Sequence, residues 1–393
     1  MKLFTEYPEK DELKYSHLMS DLATKRMENL YGDEKKEAAK RDTHAKTHAA
    51  VQGTLEIFDF DEAAIKQELS QRTSLTEAQL SAISLKQGLF AKAKQYPVWL
   101  RFANGAFSVK NDYEPDTRSM AVKVMGVEGE RLPESHELKT QDIIVHNVEF
   151  FFVKTIKDFY SFFLAVYRSG LSPFLKLSTL LWLLFHPYEF SLLKNGFKRT
   201  PKSLLTERYW SASAYSIGLK PDFDPTKTSL VPVEYPAVIK YAFTPISSQP
   251  PHQQLPFQER PESELKRAKA LGSEDNYYRE DLIQALAKSD AQYYWDFQIQ
   301  FQISPEMSID DTTIAWNEEE SPFLTVGRLT VKHQQVNSPQ EDDFGENLRL
   351  SPWNGLAVHR PVGAINRLRG LVYPIVAEYR HKKRGIKYQE PTV

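Results

Sequence analysis

The chain contains no cysteine, which excludes a disulfide framework, a thiol nucleophile and thiolate metal sites. Histidine, tyrosine and carboxylates are left as the side chains able to hold a metal. No charge dominates either: 50 Lys and Arg stand against 52 Asp and Glu. With no basic field there is no case for nucleic acid as a partner, and function has to reside in specific pockets. The first residues, Met1-Lys-Leu-Phe-Thr-Glu-Tyr-Pro-Glu-Lys-Asp-Glu12, have no apolar signal-peptide core. Together with the missing cysteine, this predicts a cytoplasmic protein. There is no internal repeat. The most apolar stretch, 159–193, is interrupted by Lys176 and His186 before it reaches the ~20 residues that span a bilayer. What remains is a globular composition, 41% hydrophobic and 12% aromatic over 393 residues, enough for a large core in one elaborated domain or two.

Residues 1–40 are rich in Lys and Glu, with Leu18, Leu22, Met27 and Leu30 spaced as in an amphipathic helix. They read as an arm that packs on the domain or on a second subunit, so a homo-oligomer is among the expected assemblies. Lys40 to Phe58 is polar first and alternating later, a loop that enters a strand, with His44 and His48 at its mouth. Residues 61–95 read as helical, with Ser74-Leu-Thr-Glu77 as a capping box. Strands are expected at 98–102, 119–125, 237–243, 293–303 and 323–332. In Phe297-Gln-Ile-Gln-Phe-Gln-Ile303 every second residue is glutamine, which predicts an antiparallel strand with one face turned from the core. The stretches 245–261 and 334–343 read as loops. Asp142-Ile-Ile-Val-His-Asn147-Val-Glu-Phe-Phe-Phe-Val153 places an amide in an apolar run, where it needs partners. The stretch 159–193 has two readings: an interfacial lid or wall for a lipid chain, giving peripheral membrane contact, or ordinary core helices. The overall pattern favours an α+β fold, an antiparallel barrel decorated by helices.

Near the C-terminus, Arg369, Tyr373 and Arg380 stand at i, i+4 and i+11, one stripe of a helix. A guanidinium one turn from a phenol favours the phenolate, and a phenolate ligates iron. Pro374 follows directly and predicts a kink.

The order of these features resembles the haem catalase superfamily from Arg41 to Arg380. Arg41-Asp-Thr-His44-Ala-Lys resembles the family's Arg-x-x-His-Ala-Lys segment. Arg101-Phe-Ala103 with Asp116-Thr-Arg118-Ser-Met-Ala-Val-Lys123 is similar to its Arg-Phe-Ser and Asp-x-Arg-Gly-x-Ala-x-Lys pair. Asn147-Val-Glu-Phe-Phe-Phe-Val is similar to the distal asparagine segment, and Trp295 to Ile303 and Thr325 to Val331 resemble later barrel strands. The resemblance implies an eight-stranded antiparallel barrel enclosing haem b. It implies His44 as the distal base, Asn147 as its partner, and Tyr373 as the proximal iron ligand kept ionised by Arg369. Arg41, Arg101 and Arg380 would pair with the propionates, a contact suited to guanidinium. The implied division is an arm at 1–40, a barrel domain at 41–345 with an apolar helical insertion at 156–200, and a C-terminal segment at 346–393 carrying the proximal ligand.

Two departures bear on substrate. Thr43 precedes the distal histidine where peroxide-dismuting catalases carry valine, and is similar to the allene oxide synthase branch. Its hydroxyl is expected to bond the imidazole or bound peroxide. Ala103 replaces the serine that orients that histidine, which removes one hydrogen bond. Both weaken the case for fast hydrogen peroxide turnover and, with 159–193, favour a fatty-acid hydroperoxide. His48 remains an alternative distal base. Three functions stay open: a haem hydroperoxidase or hydroperoxide isomerase, a small catalase or peroxidase, and a non-enzymatic haem or lipid carrier.

Overall fold

The computed structural model describes residues 2–33, 38–73, 75–171, 177–218, 232–272 and 274–392. The strands among them are β1 (Thr5–Glu6), β2 (Thr47–Ile57), β3 (Lys94–Asn104), β4 (Arg118–Met125), β5 (Thr140–His146), β6 (Tyr209–Trp210), β7 (Ala214–Ile217), β8 (Val233–Glu234), β9 (Ala237–Ile246), β10 (Gln292–Phe301), β11 (Leu324–Lys332) and β12 (Pro361–Val362). The helices are α1 (Glu12–Tyr31), α2 (Glu62–Arg72), α3 (Glu77–Ala82), α4 (Ile156–Leu171), α5 (Leu177–Phe185), α6 (Pro187–Gly196), α7 (Glu262–Leu271), α8 (Tyr277–Leu286), α9 (Pro339–Asn347) and α10 (Ala364–Lys383).

Strands pair antiparallel in the order β10-β11-β2-β3-β4-β5-β6-β9, and β9 pairs back to β10. This closes an eight-stranded barrel, and closure leaves no unpaired edge. Alternation decides which side chains fill it. Leu100 and Phe102 of β3, Met120 and Val122 of β4, Ile143 and Val145 of β5 and Phe297 and Ile299 of β10 meet in one apolar cluster. The barrel interior is therefore a packed core. Arg101, Ala103, Ser119, Ala121, Ile144 and His146, in the alternate positions of β3, β4 and β5, lie on the outer face, so the candidate residues sit on the wall and not within it.

A second apolar cluster lies in the helical layer, where Met19 and Leu22 of α1, Phe162 and Phe163 of α4, Trp182 of α5 and Leu368 and Val372 of α10 pack together. The arm expected at 1–40 thus packs on its own chain, α1 lying against α10 and α4. Helix α10 continues through Pro374. It is fastened before its start by β12, which pairs with β7. Beyond its end Glu390 accepts from the Leu138 and Lys139 amides at 2.8 and 2.6 Å, and the Tyr388 hydroxyl donates to Glu137.

Several local expectations shift. The helix expected over 61–95 is two helices and a strand start, because Asp61 caps α2 and Thr76 with Gln79 forms the capping box of α3. Ser74, expected in that role, lies outside the described residues. Helix α9 occupies part of the stretch read as loop: Ser338 and Glu341 form its capping box, a signal hidden by the acidic run that follows. The glutamine face of β10 is turned from the barrel core but covered, with Gln300 donating to the Trp316 and Ser321 carbonyls at 3.2 and 2.8 Å. No helix among the described residues is long and apolar enough to cross a membrane.

Candidate functional site

His44 lies in the loop ahead of β2 with φ of 57°, a left-handed conformation unfavourable for a residue with a Cβ. Surrounding bonds hold it there. Arg101 donates to the His44 carbonyl at 2.9 Å, and the Ala45 amide donates to the Ala106 carbonyl at 3.2 Å. The ring's Nδ1 lies 3.1 Å from the Asn104 carbonyl and 3.0 Å from Ser119 Oγ. A carbonyl only accepts, so Nδ1 carries the hydrogen and Nε2 the lone pair. The Ser119 hydroxyl in turn donates to the Ala103 carbonyl at 3.1 Å.

These bonds bear on two expectations. The orienting bond lost at Ala103 is supplied by Ser119, its partner across the β3–β4 pair. Thr43, expected to bond the imidazole or a bound peroxide, is not a partner of Nδ1, which meets the Asn104 carbonyl and Ser119 instead. Burial, then the charges of Arg101 and Arg369, push the His44 imidazole down to about 3, so it is neutral near pH 7.

His48, the alternative base, is separated from this face. Its Nε2 lies 2.8 Å from Asn104 Oδ1 and its ring packs edge-on to Tyr278, within a polar network of Asp112, Arg118 and Lys46.

Arg41, Arg101 and Arg380 converge on a residue that the sequence reading missed. Glu346 of α9 lies 3.4 Å from Arg101 and accepts from Thr47. The charges of Arg101, Arg41 and Arg380 hold its carboxyl down to about 2 despite burial. Arg41 and Arg380 also both donate to the Leu348 carbonyl, at 2.5 and 3.1 Å. Three guanidinium groups against one carboxylate leave an excess of two positive charges. The Nε atoms of Arg41, Arg101 and Arg380 are buried without a partner among the described residues, where such donors are normally satisfied. This donor set fits a planar dianion such as the propionate edge of a haem. The acidic run of α9 was the signal that could have found Glu346.

On α10, Arg369 donates to Ser213 Oγ at 3.0 Å and Asn366 Oδ1 at 3.1 Å. These bonds, rather than one to Tyr373, fix its guanidinium. Tyr373 is half-buried one turn further on. Burial, against the charge of Arg369, pushes the phenol of Tyr215 up to about 12.

Asn147 stands just past the end of β5. Its Oδ1 accepts from the Arg118 amide at 2.7 Å. Its side chain lines a cavity of about 350 Å³ with Glu207, Arg199, Arg208 and Trp210. Glu207 pairs with Arg199 at 2.7 Å, and burial pushes its carboxyl up to about 7. The preceding residue, His146, shares its strand-pair position with Ser119 and with Trp210. His44, Ser119 and His146 therefore share one face, and Asn147 faces elsewhere.

No family model matches the chain, and no curated protein matches it. Among solved structures, it is similar to a fungal catalase, with a TM-score of 0.61 and 17% identity over 88% of this chain and 60% of that one. A bacterial catalase gives a TM-score of 0.55 and 18% identity over 93% and 60%. Catalase A from Saccharomyces cerevisiae gives 0.59 and 15% over 90% and 66%. The fold is that of the catalases. The chain spans about 60% of the length of the first two it matches.

Proposed function

We propose that the protein is a haem-dependent hydroperoxidase acting on fatty-acid hydroperoxides. The observation that carries this reading is the convergence of Arg41, Arg101 and Arg380 on Glu346, with two positive charges in excess and unpaired guanidinium nitrogens. These arginines would hold the two propionates, with Tyr373 as the protein ligand to iron. Bound haem would supply the ferric centre at which a hydroperoxide O–O bond breaks. The chain's own part is proton handling. His44, neutral and with its lone pair on Nε2, takes the hydroperoxide proton and returns it to the departing oxygen. Arg369, held by Ser213 and Asn366, places a fixed positive charge one turn from Tyr373.

A lipid substrate is supported by the helical insertion. Leu177, Leu180, Leu181, Leu184 and Phe185 of α5 are all exposed, Phe185 by 80%, and Arg168, Lys194 and Lys198 are exposed nearby. An apolar face with a basic rim suits an anionic lipid surface, so peripheral membrane contact belongs to this reading. Thr43 alone supports the allene oxide synthase branch. Hydrogen peroxide is the second reading, favoured by Ser119, which restores the orientation of His44 that Ala103 removes.

The test is an absorption spectrum of the purified protein with haem, before and after a fatty-acid hydroperoxide, beside Tyr373→Phe. A ferric band altered by Tyr373→Phe, with consumption of the lipid hydroperoxide, is the expected result. Rapid oxygen release from hydrogen peroxide without lipid turnover selects the second reading, and no haem uptake sinks both.

A further inference from the structure

We propose that His146, not Asn147, is the residue that works beside His44 on the substrate. The inference rests on the haem hydroperoxide reading above and deepens it by assigning the second group that touches the peroxide.

Strand register carries the argument. Ser119 and His146 are direct partners across the β4–β5 pair, so their side chains rise from the same face. Ser119 Oγ is the atom that meets His44 Nδ1. The two imidazoles are near enough for the charge of one to disfavour protonation of the other, and Arg369 of α10 acts on both. Asn147, just past the last residue of β5, is engaged elsewhere: its oxygen is bound by the Arg118 amide and its side chain reaches Glu207 in the cavity.

The state of the ring is the second observation. His146 is 9% exposed, and neither of its nitrogens has a hydrogen-bond partner among the described residues. The other buried histidines each use at least one nitrogen: His48 toward Asn104, His359 toward the Leu89 amide and His381 toward the Asn347 carbonyl. A buried imidazole with both nitrogens unpaired forfeits two hydrogen bonds. A ligand that enters between it and His44 supplies them.

The chemistry differs from that of an amide. Neutral imidazole offers one N–H and one lone pair. The hydroperoxide proton passes to His44 Nε2, while the N–H of His146 holds the second peroxide oxygen by a hydrogen bond and transfers nothing. The proton taken by His44 later goes to the departing oxygen, so the protein's charge is restored within the cycle.

The test uses the full chain loaded with haem and compares His146→Leu, His146→Gln and Asn147→Leu by the dissociation constant for cyanide, read from the absorption band. Hydrogen cyanide, like a hydroperoxide, gives a proton to a base and is then held by a donor. His146→Leu is expected to weaken cyanide about tenfold or more, His146→Gln to recover most of the loss, and Asn147→Leu to stay within about twofold. Unchanged affinity in His146→Leu with a loss in Asn147→Leu overturns the inference and gives the role to Asn147. A second measurement needs no haem. If the ring waits for a ligand, His146→Leu raises the melting temperature of the unloaded protein by removing unpaired nitrogens; a lower melting temperature shows a structural imidazole and overturns the inference. Absence of a haem band in the unsubstituted protein counts against the haem reading itself, and the melting comparison still decides whether His146 is unpaired.

Discussion

Ser119 Oγ stands 3.0 Å from His44 Nδ1, although the two residues are 75 positions apart in the chain. Ala103, where the resemblance leads one to expect a serine, and Ser119 are direct partners across β3 and β4. The hydroxyl that meets His44 thus stands one strand over from the position where the sequence resemblance expects it. Ser119→Ala is therefore expected to slow hydroperoxide consumption by about three- to tenfold, the weight of one orienting hydrogen bond. Ser119→Ala combined with Ala103→Ser is expected to recover most of the rate. Initial rates for the single and double variants form a cycle, and a double variant no faster than Ser119→Ala would refute the exchange.

Glu346 restrains three arginines, and its loss has opposite effects on the empty and loaded protein. Glu346→Gln is expected to destabilise the unloaded protein by about 3 kcal/mol, since it leaves buried guanidinium groups without their carboxylate. Haem uptake should tighten, because the propionates then meet an excess of three positive charges. Urea unfolding and haem titration read the two effects separately, and equal shifts in the same direction would contradict the propionate role.

The buried ring of His48 makes stability depend on pH. Burial pushes it down to about 4 in the folded protein, against ~6.5 in an unfolded chain. Between those values the unfolded chain binds more protons, so the contribution is complete above about pH 6.5 and is lost as pH falls toward 4. His48→Gln removes this term. Relative to the parent, the variant should gain on the order of 2 kcal/mol between pH 7 and pH 5. Parallel stability curves for the two proteins over that range would show that His48 does not titrate on unfolding.

The exposed face of α5 gives a binding prediction. Leu184→Glu with Phe185→Glu is expected to reduce co-sedimentation with vesicles containing anionic lipid by about tenfold or more, since it loses buried apolar area and adds like charge. Hydrogen peroxide consumption, which needs no membrane, should be unaffected. If the parent protein ignores vesicles, or self-associates through this face in light scattering, the lipid surface is refuted.

Much of the fold was legible because barrel strands announce themselves by period-two alternation, as in β4 and β10. Motif order singled out Arg41, Arg101 and Arg380, which the fold brings to one carboxylate. Three features were not legible. Glu346 lies in a helix whose acidic run reads as loop until Ser338 and Glu341 are seen to cap it. The compensation at Ser119 exists only in strand register, which a single sequence does not give. The contrast between His146 and Asn147 is a difference of one residue at the point where β5 ends, and only the strand pairing tells the two apart. The motif reading chose the amide; the pairing with Ser119 directs attention to the imidazole.

Helix α10 is held at both ends, by the β12 pairing with β7 before it and by Glu390 and Tyr388 on the segment 137–139 after it. It behaves as a beam clamped to two walls and not as a hinged lid. Tyr373, near its middle, has its height above the barrel set by both supports. Traffic into the site therefore has to pass beside the beam, because swinging it open would require one of the clamps to break.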